Sequence, residues 1–289
     1  MSETWTIRKV LDWTRTRFEK EAVDSARLTA ELLLAHSLGI QRVKLYMDLD
    51  RPLVADELST FRALIQRRLA GEPTQYLMGH REFYGRRFAV DPRVLIPRPE
   101  TELLVEAALR SVPKDAPARL LDLCTGSGCI AVSMAAERPL AEVWATELSP
   151  AALEVARSNA ESLGVAARVR FLEGDLLGPI PPESRFDVIV SNPPYIRTSE
   201  LASLQREVQK EPRVALDGGD DGLAIIRRIA ETAQGFLRPG GRLALEIGDD
   251  QGDAVKTLLT RAGYHEVLIE KDYARLDRLA LASAPLVTE

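Results

Sequence analysis

The chain has only two cysteines and three histidines among its 289 residues. Cys124 and Cys129 share one short stretch. They are too few for a disulfide framework and fit a reducing compartment. His36, His80 and His265 are scattered, and no Cys or His has metal-ligand spacing, so no metal is expected. No apolar run approaches the roughly 18 residues that would span a bilayer. The opening MSETWTIRKV lacks the basic-then-apolar order of a secretory leader. A cytoplasmic protein with no membrane partner is expected. There is no GxSxG, no Walker loop, no internal repeat and no low-complexity tract. Net charge is −5, which argues against the polybasic character of nonspecific DNA binders and leaves no direct nucleic-acid partner expected.

The charge is uneven. Residues 1–90 carry a net +3 and the remainder −8. Eight arginines (Arg62, Arg67, Arg68, Arg81, Arg86, Arg87, Arg93, Arg98) fall in one stretch with three acids and no lysine. The plain reading is a solvated face. The sharper one is a docking strip for an acidic or phosphate-rich partner.

At about 150 residues per domain, the length suggests roughly two domains. Val10, Trp13, Phe18 and then Leu28, Leu32, Leu33, Leu34 recur at helical spacing. Asp24 and Ser25 are candidate caps for the second run. A further helix starts near Asp56 with Leu58, Phe61, Leu64, Ile65 and Leu69 on one face, and Gly71 and Pro73 stop it. Between 82 and 97, two β-like runs (Phe83, Tyr84, Phe88, Val90; Val94, Leu95, Ile96) flank Asp91-Pro92. That predicts a hairpin turning at Asp91-Pro92. From Arg119 onward, strands and helices alternate, which predicts a parallel, doubly wound α/β sheet. The last two runs, HEVLIE and RLALAS, have no helix between them, so one of them can run antiparallel. The expected division is 1–80 helical, 81–99 a hairpin neck, and 100–289 the sheet domain.

Chemistry concentrates where strands end. Asp122-Leu-Cys-Thr-Gly-Ser-Gly128 follows an apolar strand and opens a helix. Ligands of open α/β sheets bind at such carboxyl ends, and Gly126 and Gly128 let backbone approach a ligand. Glu147 ends the next strand, where a carboxylate can accept from ribose hydroxyls. Taken alone, the loop also satisfies a loose dinucleotide fingerprint, or is simply a tight turn. Asp175 can accept from an adenine amine, or merely cap a turn. Ser191-Asn-Pro-Pro-Tyr195 follows the strand FDVIVS. Its two prolines fix φ near −65° and remove two N–H donors. The Asn192 side-chain oxygen and the Pro193 carbonyl can then accept both hydrogens of a planar –NH₂ group, with Tyr195 over its face. The plainer alternative is a Pro-rich loop with Tyr195 as core filler. An amide nitrogen is a poor nucleophile because its lone pair is delocalised. Two acceptors favour pyramidalisation, and positioning beside an electrophilic methyl then supplies much of the rate.

DLCTGSG, Glu147, Gly174-Asp175 and NPPY, spaced by 25, 28 and 17 residues, resemble the motif series of class I S-adenosylmethionine-dependent methyltransferases. GEPTQYLMGHREFYG (71–85) and VLIPRPETE (94–102) are similar, more narrowly, to the PrmC/HemK family of protein-(glutamine-N5) methyltransferases. The resemblance covers almost the whole chain. It implies a Rossmann-like seven-stranded sheet with the last strand antiparallel, behind a small helical domain and a β-hairpin linker. It implies methyl transfer from S-adenosyl-L-methionine, leaving S-adenosyl-L-homocysteine, to N5 of the glutamine in the GGQ motif of class I peptide chain release factors, by a monomer. By position, Cys124, Thr125, Gly126, Ser127 and Gly128 would line the methionine part and Glu147 would hold the ribose. Asp175 and Leu176 would flank adenine, Asn192 would touch cofactor and substrate, and Asn192, Pro193, Pro194 and Tyr195 would bind the amide. Leu176 stands where family members often carry an aromatic, and Glu147 where many have Asp. Rival readings are an amino-methyltransferase of DNA or RNA adenine, a glutamine methyltransferase of a ribosomal protein, a nicotinamide dehydrogenase that leaves NPPY idle, and a noncatalytic scaffold. PRPETE is expected to shape the substrate mouth, with the helical domain and the arginine-rich neck gripping the release factor.

Overall fold

The computed structural model describes residues 4–286. It divides into two compact units: the chain up to Gly79 together with Gln205–Lys210, and the rest.

The first unit is helical: α1 (Ile7–Lys20), α2 (Ala26–Ser37), α3 (Arg42–Met47), α4 (Ala55–Leu69) and α5 (Thr74–Met78). Phe18, Leu33, Leu34, Leu45 and Phe61 are buried between them, each contributing roughly 1.5–3 kcal/mol by leaving water. Thr6 caps α1 by accepting from the Lys9 N–H. Ser25 stands at the N-cap of α2 in a left-handed conformation and makes no cap bond with its hydroxyl, contrary to expectation. Trp13 and Leu28 face outward rather than into the core. Glu57 holds the start of α4 by accepting from the Val54 N–H.

In the second unit, β1 (His80–Phe83) and β2 (Arg86–Ala89) form an antiparallel hairpin with Phe83 opposite Arg86. Its turn is Tyr84-Gly85, not Asp91-Pro92. Both turn residues have positive φ, 49° and 67°, the geometry whose twist matches paired strands. The run Val94–Ile96, read from sequence as a second strand, joins no sheet. Its Val94 and Ile96 are buried, and the Ile96 N–H donates to Glu211 instead of a neighbouring strand.

The main sheet has seven strands: β3 (Ala118–Leu123), β4 (Ala141–Glu147), β5 (Val169–Glu173), β6 (Phe186–Ser191), β7 (Leu237–Glu246), β8 (His265–Lys271) and β9 (Asp277–Ser283). Their order is β5-β4-β3-β6-β7-β9-β8, parallel except that β9 runs antiparallel to both its neighbours. The order reverses at the β3–β6 pair, so these strands' carboxyl ends open a crevice. Alternate strand residues serve opposite faces. Leu120, Val143 and Val188 pack under α6 (Glu102–Arg110) and α7 (Cys129–Glu137). Leu121, Ile189 and Leu243 pack under α9 (Ala224–Thr232) and α10 (Gly252–Arg261). Between them α8 (Pro150–Ser162) follows β4, its Ser149 cap accepting from the Ala152 N–H. Among the described residues no helix is long and apolar enough to cross a membrane, and no cluster of three metal-ligating side chains occurs.

Candidate active site

Four parallel strand ends meet at one cleft. From the sequence-predicted residues it is lined by Cys124 and Gly126 after β3, Glu147 at the end of β4, Asp175 and Leu176 after β5, and Asn192 and Pro194 after β6. The other predicted residues sit behind this wall. Thr125 turns inward and donates its hydroxyl to Asp122 at 2.5 Å. The carbonyl of Ser127, a buried residue, accepts from Asn159 at 2.9 Å. Gly128 packs on α8, where an added Cβ would lie 3.1 Å from the Cβ of Ala156. These three shape the loop and are not part of the cleft wall, and neither are Pro193 and Tyr195.

Glu147 is held by the backbone. One oxygen accepts from the Gly126 N–H and the other from the Ser149 N–H, both at 2.9 Å. Each oxygen keeps a lone pair for a ligand hydroxyl. Asp175 is paired with Arg228 of α9 at 2.6 Å. Leu176 is buried in a left-handed conformation with φ 49°. With Leu148, Val214 and Ile225 it gives the cleft apolar walls. Burial pushes the thiols of Cys124 and Cys129 up to about 12, so neither is a nucleophile near neutral pH. Beneath the loop, Asp122 is wholly buried. Its second oxygen finds no partner among the described residues, and burial raises it to about 7.

At NPPY, the Asn192 side-chain nitrogen donates to the Thr101 hydroxyl at 3.2 Å. Asn192 itself lines the cleft. Tyr195 is fixed at two points. Its hydroxyl meets Glu246 at 3.4 Å, and its carbonyl accepts from the Gln251 side chain at 2.9 Å. Sequence reasoning passed over Thr101, Glu246 and Gln251. Glu246 carried a sign: an acid at the carboxyl end of the apolar strand run RLALE.

The arginine-rich stretch has a structural use. Arg67 pairs with Glu72, Arg68 with Glu207, Arg86 with Glu137, Arg93 with Asp91 and Glu154, and Arg98 with Glu211. Arg87 meets the ring of His80. Most of the expected docking charges are thus neutralised internally. In PRPETE, Arg98 holds the buried Glu211 and Glu102 accepts from the Tyr84 N–H at the hairpin turn.

The profile described as PrmC N-terminal domain matches residues 9–79, and that described as methyltransferase small domain matches residues 100–220. The chain is 48% identical over 278 residues to the release factor glutamine methyltransferase of Geobacter sulfurreducens, with 96% of each chain covered. It is 46% identical over 278 residues to that of Moorella thermoacetica, with 96% of this chain and 98% of the relative covered. Among solved structures, a methyltransferase of Pyrococcus furiosus superposes with TM-score 0.54 at 22% identity, covering 78% of this chain and 99% of that one. The 16S rRNA N2 G1207 methyltransferase of T. thermophilus gives 0.53 at 22% identity, covering 71% and 49%. At these identities the structural likeness speaks for the fold.

Proposed function

Because the chain belongs to the release factor glutamine methyltransferase family, we propose that its cleft takes S-adenosyl-L-methionine and brings the amide of the substrate glutamine to Asn192. The protein is a glutamine methyltransferase with a release factor as substrate; the glutamine of a GGQ loop, methylated at N5, is the target we propose. The residues present suit the methyl donor. Glu147 keeps acceptor capacity for two ribose hydroxyls. Gly126 leaves open space where a side chain would stand. Asp175 and the apolar wall of Leu176 and Ile225 suit an aromatic amine. Leu176 packs against such a ring without stacking. A translation factor as substrate supports a cytoplasmic location for the reaction.

When bound, the donor supplies a methyl on a sulfonium, an electrophilic carbon. The chain's own residues make the amide nitrogen able to use it. The Asn192 oxygen and the Pro193 carbonyl accept the two amide hydrogens. The nitrogen pyramidalises with its lone pair aimed into the cleft. Consecutive prolines keep those acceptors in place without reorganisation, so the gain is one of positioning and preorganised dipoles. The proton is lost after the nitrogen has become cationic, so no strong base is needed beside it. Tyr195, fixed at hydroxyl and carbonyl, backs the corner.

The observation that carries this reading is the orientation of Asn192. Its nitrogen is engaged by Thr101, on the same cleft that Glu147 lines. Incubation with labelled S-adenosylmethionine and a purified release factor, with DNA as the parallel substrate, tests it. Mass spectrometry is expected to locate the label on a glutamine side chain. Asn192→Ala is expected to lower transfer by at least about a hundredfold in a folded protein. Label on adenine, or full activity in that variant, removes the reading.

A further inference from the structure

Asp175 lines the cleft, and a cation stands behind it. The Arg228 guanidinium donates to one of its two carboxylate oxygens, Oδ2, at 2.6 Å. Arg228 lies outside the cleft wall, but Ile225, three residues earlier on α9, is part of it. Residues at that spacing share one face of a helix. α9 thus gives the cleft an apolar side chain and, one turn on, the partner of its acid. The neighbouring Arg227 is taken by Asp221 at 2.6 Å. The backbone on either side of Asp175 is fixed as well. The Gly174 N–H donates to the Glu147 carbonyl, and the Asp175 carbonyl accepts from the Gly178 N–H, both at 2.9 Å. At Gly174 φ is +155°, and an added Cβ would lie 2.9 Å from the Pro179 ring, so the turn admits no side chain there.

An ion pair between two half-exposed side chains adds little to stability. What this pair adds is orientation. A guanidinium only donates hydrogen bonds, and an ionised carboxylate only accepts them. With Arg228 on one oxygen, the carboxylate is held in one rotamer and its second oxygen is a fixed acceptor for a ligand. A purine with a 6-amino group brings a donor to such an acceptor. A 6-oxo purine brings lone pairs against lone pairs. Leu176 packs on a ring without reading its substituents, so the choice between the two purines falls on Asp175.

We propose that Arg228 is a positioning residue that fixes the Asp175 carboxylate as an acceptor, and that this makes the donor site select a 6-aminopurine over a 6-oxopurine. The proposal rests on the function given above, which brings an adenosyl group to this cleft. It adds that the base is read by an acid oriented from α9.

Calorimetry with S-adenosylhomocysteine and its 6-oxo analogue, S-inosylhomocysteine, tests this without turnover. The wild type is expected to bind the amino compound about thirtyfold or more tighter, the scale of one hydrogen bond to a charged group. Arg228→Ala is expected to weaken the amino compound by about fivefold or more and the oxo compound by no more than about twofold. Asp175→Asn is the sharper variant. Because Arg228 can only donate, the new amide must give its oxygen to Arg228 and its NH₂ to the ligand. It is expected to prefer the oxo compound by about threefold or more, and to lose that preference when combined with Arg228→Ala, where the amide is free to turn. Equal weakening of both compounds in Arg228→Ala, as a merely structural role would give, overturns the proposal. So does a wild-type preference kept in Asp175→Asn. A wild type that binds neither compound overturns the donor reading together with this one. Tight binding of the amino compound with either comparison failing overturns this one alone.

Discussion

Asp122→Asn is expected to stabilise the protein at pH 8 and to flatten its stability between pH 5 and 8. Asp122 lies in β3 and sits under the glycine loop, wholly buried. One oxygen accepts from the Thr125 hydroxyl at 2.5 Å and the Ala131 N–H at 3.2 Å, and the other is orphaned among the described residues. Desolvation outweighs those two bonds and lifts protonation from 3.8 to about 7, with Glu147 adding to the rise. The native state thus keeps this proton over a range where the unfolded chain has lost it. Stability is full below the unfolded value near 4, falls as pH rises, and levels off above about 7. At about 1.4 kcal/mol per pH unit, the ionised buried group costs on the order of 2–4 kcal/mol at pH 8. Asparagine keeps an acceptor for Thr125 and Ala131, offers its N–H to the orphaned side, and carries no charge. Urea unfolding followed by Trp144 fluorescence, in a Trp5→Phe, Trp13→Phe background, reads this unit. The wild type should lose stability from pH 5 to 8, and the variant should lose less and exceed it at pH 8 by about 2 kcal/mol or more. Glu246, raised in the same direction to about 7, leaves a residual slope in both. Carboxylates held low, such as Asp91 and Asp272, act with opposite sign only below the window. A wild type equally stable across it, or a variant weaker at pH 8, refutes the reasoning.

Two further outcomes follow from contacts around the site. Arg98→Ala strips the ion partner from Glu211, whose side chain is 1% exposed, and is expected to cost about 3 kcal/mol by urea unfolding. Adding Glu211→Gln should recover part of that, since a neutral amide needs no counter-charge; strictly additive losses would show that the pair is not the cause. Gly222→Ala places a methyl 2.5 Å from the Tyr195 carbonyl oxygen and 2.7 Å from the Gln251 nitrogen, at φ +73°. It is expected to lower kcat by about tenfold or more through displacement of the NPPY corner, with donor affinity by calorimetry nearly unchanged. A wild-type kcat in that variant would show that the corner is not held from this side.

The sheet was legible because its central parallel strands are buried on both faces and so read as apolar runs. RLLDL, VWAT and DVIV all lie where their composition put them. The hairpin was misread because Val94–Ile96 is as apolar as a strand, and Asp91-Pro92 is a stronger turn cue than Tyr84-Gly85. What decided the matter is backbone geometry: tyrosine accepts a left-handed φ there, which composition does not announce. The site was legible to the same depth. Residues at strand ends face the cleft because the strand ends do. Which side chains turn inward was not legible, since Thr125 answers to Asp122, Ser127 to Asn159 and Arg68 to Glu207, partners fixed only by the fold. Asn192 and Thr101 are 91 residues apart, a pairing no local pattern contains.

The acids along the carboxyl edge divide by how well they are satisfied, and the division follows depth. Those on the cleft wall have strong partners: Glu147 has two backbone N–H groups, and Asp175 has Arg228. Those one layer beneath, Asp122 and Glu246, each keep an orphaned oxygen and are destabilising when ionised. A fold selected for stability alone would replace such groups with apolar residues of similar volume. Each instead stands directly behind a loop at the cleft: Asp122 behind the glycine loop through Thr125 and Ala131, Glu246 behind NPPY through Tyr195. Under-satisfied buried carboxyls act on their neighbours as acceptors that cannot be exchanged for water. They therefore hold the hydroxyls of Thr125 and Tyr195 in one orientation. On this view the glycine loop and the NPPY corner are kept rigid by the same device used twice.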